Sequence, residues 1–187
     1  MTGPTLRKNR WWLYGILVLA LGWYGFLAVF GPRRSPRLVN SGMSEKAPYD
    51  WSLKDLDDQP VSFQSFRGRT VFLNIWATWC GPCREEMPSI ARLANDPRIV
   101  RQKIAFVCAS TDDDAGVVKD YLAGKDWPMT FLRVERLPAT FMSEGIPATF
   151  IIDPNGKIVA TEIGSAAWDE PAVIELMEKA AMTTAVE

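Results

Sequence analysis

Residues 74–88 read NIWATWCGPCREEMP. Cys80 and Cys83 are separated only by Gly81 and Pro82, and three chemistries use such a pair: a metal claw, a structural staple and a redox couple. A structural zinc site takes about four N or S ligands. The chain has no histidine, and its one other cysteine, Cys108, lies in KIAFVCAS (103–110), an apolar run that reads as a buried strand. No metal site or other cofactor is expected. A staple closing so short a loop removes little entropy from the unfolded chain. The redox reading has support from its surroundings. TVFLNIWA (70–77) is apolar enough for a strand buried on both faces, and a helix is predicted from the cysteine pair to about Asn95, with Ile90, Leu93 and Ala94 inward. Cys80 then stands at a helix N-terminus, where free N–H groups and the positive end of the macrodipole favour a thiolate. Cys83, one turn on, faces the same side as the shielded sulfur that resolves a mixed disulfide. Pro82 is tolerated because a first-turn N–H has no intrahelical partner.

Working outward, the pattern alternates strand and helix. WSLKDL and VSFQSF flank the turn-like DDQP and suggest a short hairpin. TDDDAGVVKDYLAG carries acids at its start and Gly124 at its end, both helix punctuation. MTFLRV (129–134) reads as a strand. PATFIID and GKIVATEI enclose Pro154-Asn155-Gly156 as a second hairpin. WDEPAVIELMEKAA closes with an amphipathic helix whose inner face holds Val173, Leu176, Met177 and Ala180. The expected fold class is α/β, with helices flanking a mixed central sheet.

The N-terminus differs in kind. WWLYGILVLALGWYGFLAVF (11–30) holds twenty residues without a charge, and such a helix rises about 30 Å, one hydrocarbon core. Trp11, Trp12 and Tyr14 stand where aromatic rings favour the headgroup level. A small domain has no core to hide an all-round apolar rod, and no A-x-A site follows Phe30 as a cleaved signal would want. The segment is therefore read as an uncleaved transmembrane anchor. The expected organisation is a cytoplasmic tail (1–10), the anchor (11–30), a flexible linker (31–49) rich in Pro, Ser, Gly and Arg, and a soluble domain (50–182). Arg7, Lys8 and Arg10 precede the anchor while Arg33, Arg34 and Arg37 follow it, so the charge rule leans only slightly to a cytoplasmic N-terminus. Residues 45–187 hold 15 basic and 22 acidic side chains, net −7, which argues against a nucleic-acid partner.

WATWCGPC, with Pro88 five residues after the second cysteine, resembles the active site of the thioredoxin superfamily. NIWATWCGPCREEMP together with the upstream WSLKDLDDQPVSFQSFRGRTVFLN is similar to the membrane-anchored TlpA/ResA-like thioredoxins of bacteria, over about residues 50–180. The resemblance implies a thioredoxin fold with an added N-terminal β-hairpin and an inserted helix–strand at about 113–134. It also implies an extracytoplasmic domain on a bacterial inner membrane that reduces protein disulfides, often in cytochrome c maturation, with apocytochrome c among the candidate substrates and a transmembrane thiol reductase as electron donor. It further implies a cis-proline facing the disulfide. LPAT (137–140) and IPAT (146–149) both offer one, and Pro147 is preferred because the apolar strand ATFIID follows it. Ile146, just before it, is then placed to pair with an extended substrate segment.

Where many thioredoxins carry a buried aspartate, six residues before the first cysteine, this chain has Asn74, which accepts no proton. The ResA-like branch instead has a glutamate after the second cysteine, matched here by Glu86. Helix geometry agrees, since a residue three positions on shares the face of Cys83, while Glu85 points to solvent. Glu86 is expected to accept or relay the proton of Cys83. Trp79 is expected to form a substrate platform, and Cys108 to act as a small buried apolar residue. The leading expectation is a tethered thiol–disulfide oxidoreductase working mainly as a reductant. Two alternatives stand beside it: a peroxiredoxin-like thiol peroxidase, whose T-x-x-C pattern is not matched because Thr78 is only two before Cys80, and a non-enzymatic membrane-tethered binding or assembly module.

Overall fold

The computed structural model describes residues 11–30, 34–38 and 45–183, with the side chains of 27–30 aside. The chain divides into two units, Met1–Arg33 and Arg34–Glu187. The first contains a single described element, helix α1 (Trp11–Phe30), whose described side chains are all exposed. Among the described residues no helix is long and apolar enough to cross a membrane. The transmembrane reading of 11–30 is thus not met on the described residues, and the expected tail over 1–10 lies outside them.

The second unit is built on a seven-stranded mixed sheet. The strands are β1 (Ser52–Lys54), β2 (Pro60–Ser62), β3 (Val71–Trp76), β4 (Ala105–Ser110), β5 (Thr130–Arg133), β6 (Ala148–Ile152) and β7 (Ile158–Ile163), in the order β2-β1-β5-β4-β3-β6-β7. β3, β4 and β5 run parallel; β6 and β7 are antiparallel additions on one side and β1 and β2 on the other. Every residue of β3 and β4 is buried, as two-faced central strands require. The helices are α2 (Gly81–Asn95), α3 (Pro97–Arg101), α4 (Ala115–Leu122) and α5 (Pro171–Ala181). They set Met87, Ile90, Leu93, Ile99, Val118, Val173 and Met177 against Phe72, Trp76, Phe106 and Ile151 of the sheet. Among the described residues the opposite face carries no long helix. It is covered by Tyr49 and by two 3₁₀ turns, Phe63–Phe66 and Ala139–Phe141, which lay Phe63, Phe66 and Phe141 over Leu73, Ile75, Val107 and Phe150.

Four details depart from the sequence expectation. The VSFQSF segment keeps strand geometry only to Ser62, whose hydroxyl accepts from Gln64 N and starts the 3₁₀ turn. Helix α3 is additional; Asp96 caps it by accepting from Arg98 N, and Pro97 occupies its first turn. Ile174 takes a buried place in α5 while Leu176 is only partly covered. Parts of the expected flexible linker are docked: Arg34 accepts from Ala167 N at 2.8 Å, Ala47 donates to Gly156 O at 2.8 Å, and Ala47 and Tyr49 are buried. The tether has less free length than its composition suggested, because Leu38 and Tyr49 find apolar surface to cover. Residues 39–44 of it lie outside the described set.

Phe63 is fully buried and stacks among Tyr49, Trp51, Phe66 and Phe141, remote from the cysteines. Phe63→Ala is expected to lose about 3–5 kcal/mol of stability through a cavity that this aromatic layer cannot close. Urea unfolding of the oxidised protein measures it; a loss below about 1 kcal/mol would mean that the layer is not the core of that face.

Candidate active site

Strand β3 ends at Trp76, and four residues later Cys80 caps α2. The cap comes from the sulfur itself: Cys83 N–H donates to Cys80 Sγ at 3.2 Å. The two sulfurs are bonded, with the Cα atoms 5.3 Å apart. A sulfur that receives a first-turn amide and sits at the positive end of the helix dipole is stabilised as a thiolate once the disulfide is opened. Gly81 and Pro82 fill the first turn without crowding; no atom lies within 4 Å of where a Cβ on Gly81 would stand. The expected contrast of an exposed Cys80 and a shielded Cys83 is smaller than anticipated, since the residues are 6% and 0% exposed. Cys80 Sγ lies 3.7 Å from the carbonyl oxygen of Ile146, and that segment covers it. The Ile146–Pro147 bond is cis, whereas Pro138 lies in the loop that opens a 3₁₀ turn. Ile146 is half-buried, Pro147 buried, and Trp79 is 72% exposed beside Cys80.

Glu86 is buried on the sheet-facing side of α2, and Glu85 is exposed. Its carboxylate collects donors from three directions. Asn74 Nδ2 of β3 donates to Oε1 at 2.9 Å, and Ala166 N and Trp168 Nε1, from the loop before α5, donate to Oε2 at 3.1 and 3.0 Å. Asn74 gives its second amide hydrogen to Thr149 Oγ1 of β6 at 2.9 Å. These donors favour the charged form, but removal from water outweighs them, and nearby Glu162 adds repulsion. The result is a carboxyl pushed up to about 7. Cys108 stands opposite Asn74 in the β3–β4 register and is wholly buried. Burial first, and the charge of Glu86 second, push its thiol up, which suits an inert packing residue.

Sequence reasoning missed the donors around Glu86 and a second brace, Asp112. Its carboxylate takes Thr78 N at 2.8 Å on one oxygen and Thr78 Oγ1 at 2.8 Å on the other, with Ser110 Oγ at 2.5 Å. Arg133 in turn donates to the carbonyl oxygens of Asp112 and Asp113 and pairs with Asp58. The loop carrying Trp79 and Cys80 is thereby tied to the end of β4. Strand ends are where open α/β sheets place their chemistry, and Ser110-Thr111-Asp112 at the close of an apolar run was the available signal.

A family model described as Redoxin matches residues 43–176. The chain belongs to the Redoxin family. It is 32% identical over 158 residues to the thioredoxin-like protein YneN of Bacillus subtilis, covering 82% of this chain and 90% of that one. It is 28% identical over 162 residues to the thiol-disulfide oxidoreductase ResA of Bacillus thuringiensis (strain Al Hakam), covering 85% and 91%. Among solved structures, a Chlorobium tepidum protein described as a thiol:disulfide interchange protein DsbE superposes with a TM-score of 0.59 at 27% identity, over 73% of this chain and 93% of its own. With its Cys80–Cys83 pair, the chain is a ResA-like member of the thioredoxin family and a thiol-disulfide oxidoreductase.

A raised carboxyl has a definite sign in stability. Glu86 ordinarily titrates at 4.5 and here at about 7, so between those values the folded protein holds a proton that the unfolded chain has released. Its contribution is full below pH 4.5 and is lost as pH rises through 7, on the order of 3 kcal/mol in total. In urea titrations of the oxidised protein, Glu86→Gln is expected to flatten the stability curve across pH 5–8 relative to wild type. Parallel curves for the two proteins would mean that Glu86 titrates as an ordinary surface acid.

Proposed function

We propose that this oxidoreductase is held to a bacterial cytoplasmic membrane by residues 11–30 and works on the extracytoplasmic side as a reductant of protein disulfides. Apocytochrome c is among its substrates, and a transmembrane thiol reductase returns its electrons. The observation that carries the dithiol chemistry is the Cys83 amide on Cys80 Sγ, 3.2 Å away, at the head of a helix. The membrane reading draws on the uncharged run at 11–30 with Trp11, Trp12 and Tyr14 at its edge. Relatives named for thiol-disulfide exchange support the substrate class.

In the forward step the Cys80 thiolate attacks one sulfur of a substrate disulfide. The substrate's S–S bond breaks, and its other sulfur leaves as a thiolate that takes a proton from solvent. A mixed disulfide now joins Cys80 to the substrate. Cys83 gives its proton to Glu86, one helical turn away on the same face, and attacks Cys80 Sγ. The second substrate sulfur leaves, the Cys80–Cys83 bond forms, and two electrons have passed to the substrate. A carboxyl near 7 is matched to that transfer, being able both to take and to return a proton near neutral pH. Trp79, exposed beside the nucleophile, and the Ile146–Pro147 segment over Cys80 Sγ form the surface that receives the substrate chain.

Cys83→Ser is expected to leave substrates attached to Cys80, to be identified by mass spectrometry, and Cys80→Ser to abolish insulin reduction. Glu86→Gln is expected to slow release of the mixed disulfide by about 10²-fold in stopped-flow reduction; an unchanged release rate would remove Glu86 from the mechanism. A membrane-impermeant thiol reagent should label Cys80 of the reduced full-length protein in intact cells, with Cys80→Ser as the control. Labelling only after lysis would overturn the proposed sidedness.

A further inference from the structure

Arg34 is the first described residue of the thioredoxin-like unit, and it makes more contacts than a linker residue needs. Its guanidinium pairs with Glu162 Oε1 at 2.7 Å; the Glu162 side chain is 2% exposed and that of Arg34 48%. Its carbonyl oxygen accepts from Ala167 N at 2.8 Å. Ser35 Oγ donates to Glu170 at 2.9 Å, and Leu38 packs on the helical-face core. The arginine passes close to the backbone at Gly164, where an added Cβ would stand 3.0 Å from Nη1. A residue without a side chain, at φ +96, is what the approach requires.

These contacts and those of Glu86 grip the same pieces from opposite sides. Ala166 donates inward to Glu86 while its neighbour Ala167 donates outward to Arg34. Across the sheet, Glu162 is paired with Thr149, and Thr149 with Asn74; the Asn74 amide bonds both Thr149 and Glu86. We infer that Arg34 is a positioning residue for Glu86: it neutralises Glu162, the buried charge in the same cross-strand row, and holds the 164–168 loop that supplies two of the carboxylate's three donors. Its consequence for turnover rests on the reading that Glu86 takes the proton of Cys83.

The groups around Glu86 make the sign definite. On its own helix Cys83 is held in the disulfide and does not titrate in the oxidised protein, and from β4 the titratable neighbour is Cys108. β3 and β6 present neutral Asn74 and Thr149, and the loop before α5 presents Trp168 Nε1 and the Ala166 amide, with Asp169 engaged by Arg92 and Glu170 by Ser35. β7 presents Glu162, and Arg34 is the cation paired with it; Arg37, Glu45 and Glu144 are the other charged residues lining the open cavity that Arg34 and Glu162 border. Without the guanidinium, Glu162 loses its counter-charge, and while it stays ionised its repulsion, no longer offset, disfavours ionisation of Glu86.

The test uses the full chain, oxidised and in detergent micelles, with the Glu86 carboxyl followed by isotope-edited infrared or carbon NMR titration. Arg34→Gln is expected to move the Glu86 midpoint up by about half to one unit, Glu162→Gln to move it down, and the double variant to return it to wild type or below. A purely packing role for Arg34 lowers the melting temperature and leaves the midpoint in place. A folded Arg34→Gln with an unmoved midpoint overturns the inference. If that variant does not fold, an unmoved midpoint in Glu162→Gln does the same. The pH profile of mixed-disulfide release is recorded in parallel. Should the midpoint move while the rate profile stays, the Arg34–Glu86 link stands and the proton-relay reading falls.

Discussion

A carboxylate taken out of water must be given donors or a proton, and Glu86 has been given some of each. Its three hydrogen bonds come from β3 and from the loop before α5, and the Asn74 amide extends the network to β6. The elements that build the catalytic end therefore meet at one buried charge. That the carboxyl still rises to about 7 shows which effect dominates: desolvation exceeds the sum of its donors. A group so poised is costly to stability above neutrality.

The two cysteines sit under different influences. Cys80 takes an amide hydrogen at the head of α2, which favours its charged form. Cys83 is deeper, wholly buried, and lies on the helical face that also carries the buried Glu86. In the disulfide form the two differ little in exposure; the difference between them is the helix-head amide that Cys80 receives. Asp112 contributes at a distance by fixing Thr78 at both its amide and its hydroxyl, so the loop that carries Trp79 and Cys80 is held from the end of β4 as well as from the helix.

The placement of helices on one face explains the aromatic character of the segments that cover the other. With α2, α3, α4 and α5 all packed on the other side, the second face of the sheet needs a cover. Tyr49, Phe63, Phe66 and Phe141 supply it from short turns and extended chain. Large rings bury much area for few ordered residues, which suits a layer that contains no long helix. The same economy draws Ala47 and Tyr49, expected in a tether, into the domain.

The sequence alone determined the features that depend on near neighbours. Cys80, Gly81, Pro82 and Cys83 lie within one helical turn, and the apolar run before them and the helical period after them decide the strand-to-helix junction. The parallel strands, the late hairpin around Gly156 and the closing helix follow from local period and punctuation. Glu86 was pointed to by the resemblance to the ResA-like branch, and helix geometry agreed, since a residue three positions along a helix shares the face of Cys83. Its distant partners were not legible: Ala166 and Trp168 reach it only when the loop before α5 folds over α2, and Asn74, which bonds it from β3, is shared with Thr149 only when β6 pairs with β3. The docking of Arg34 on Glu162, the brace from Asp112 to Thr78, and the cover over Cys80 were likewise decided by tertiary structure. Each is a contact between segments with no shared local pattern, and the first two satisfy a buried carboxylate where the packed sheet left it.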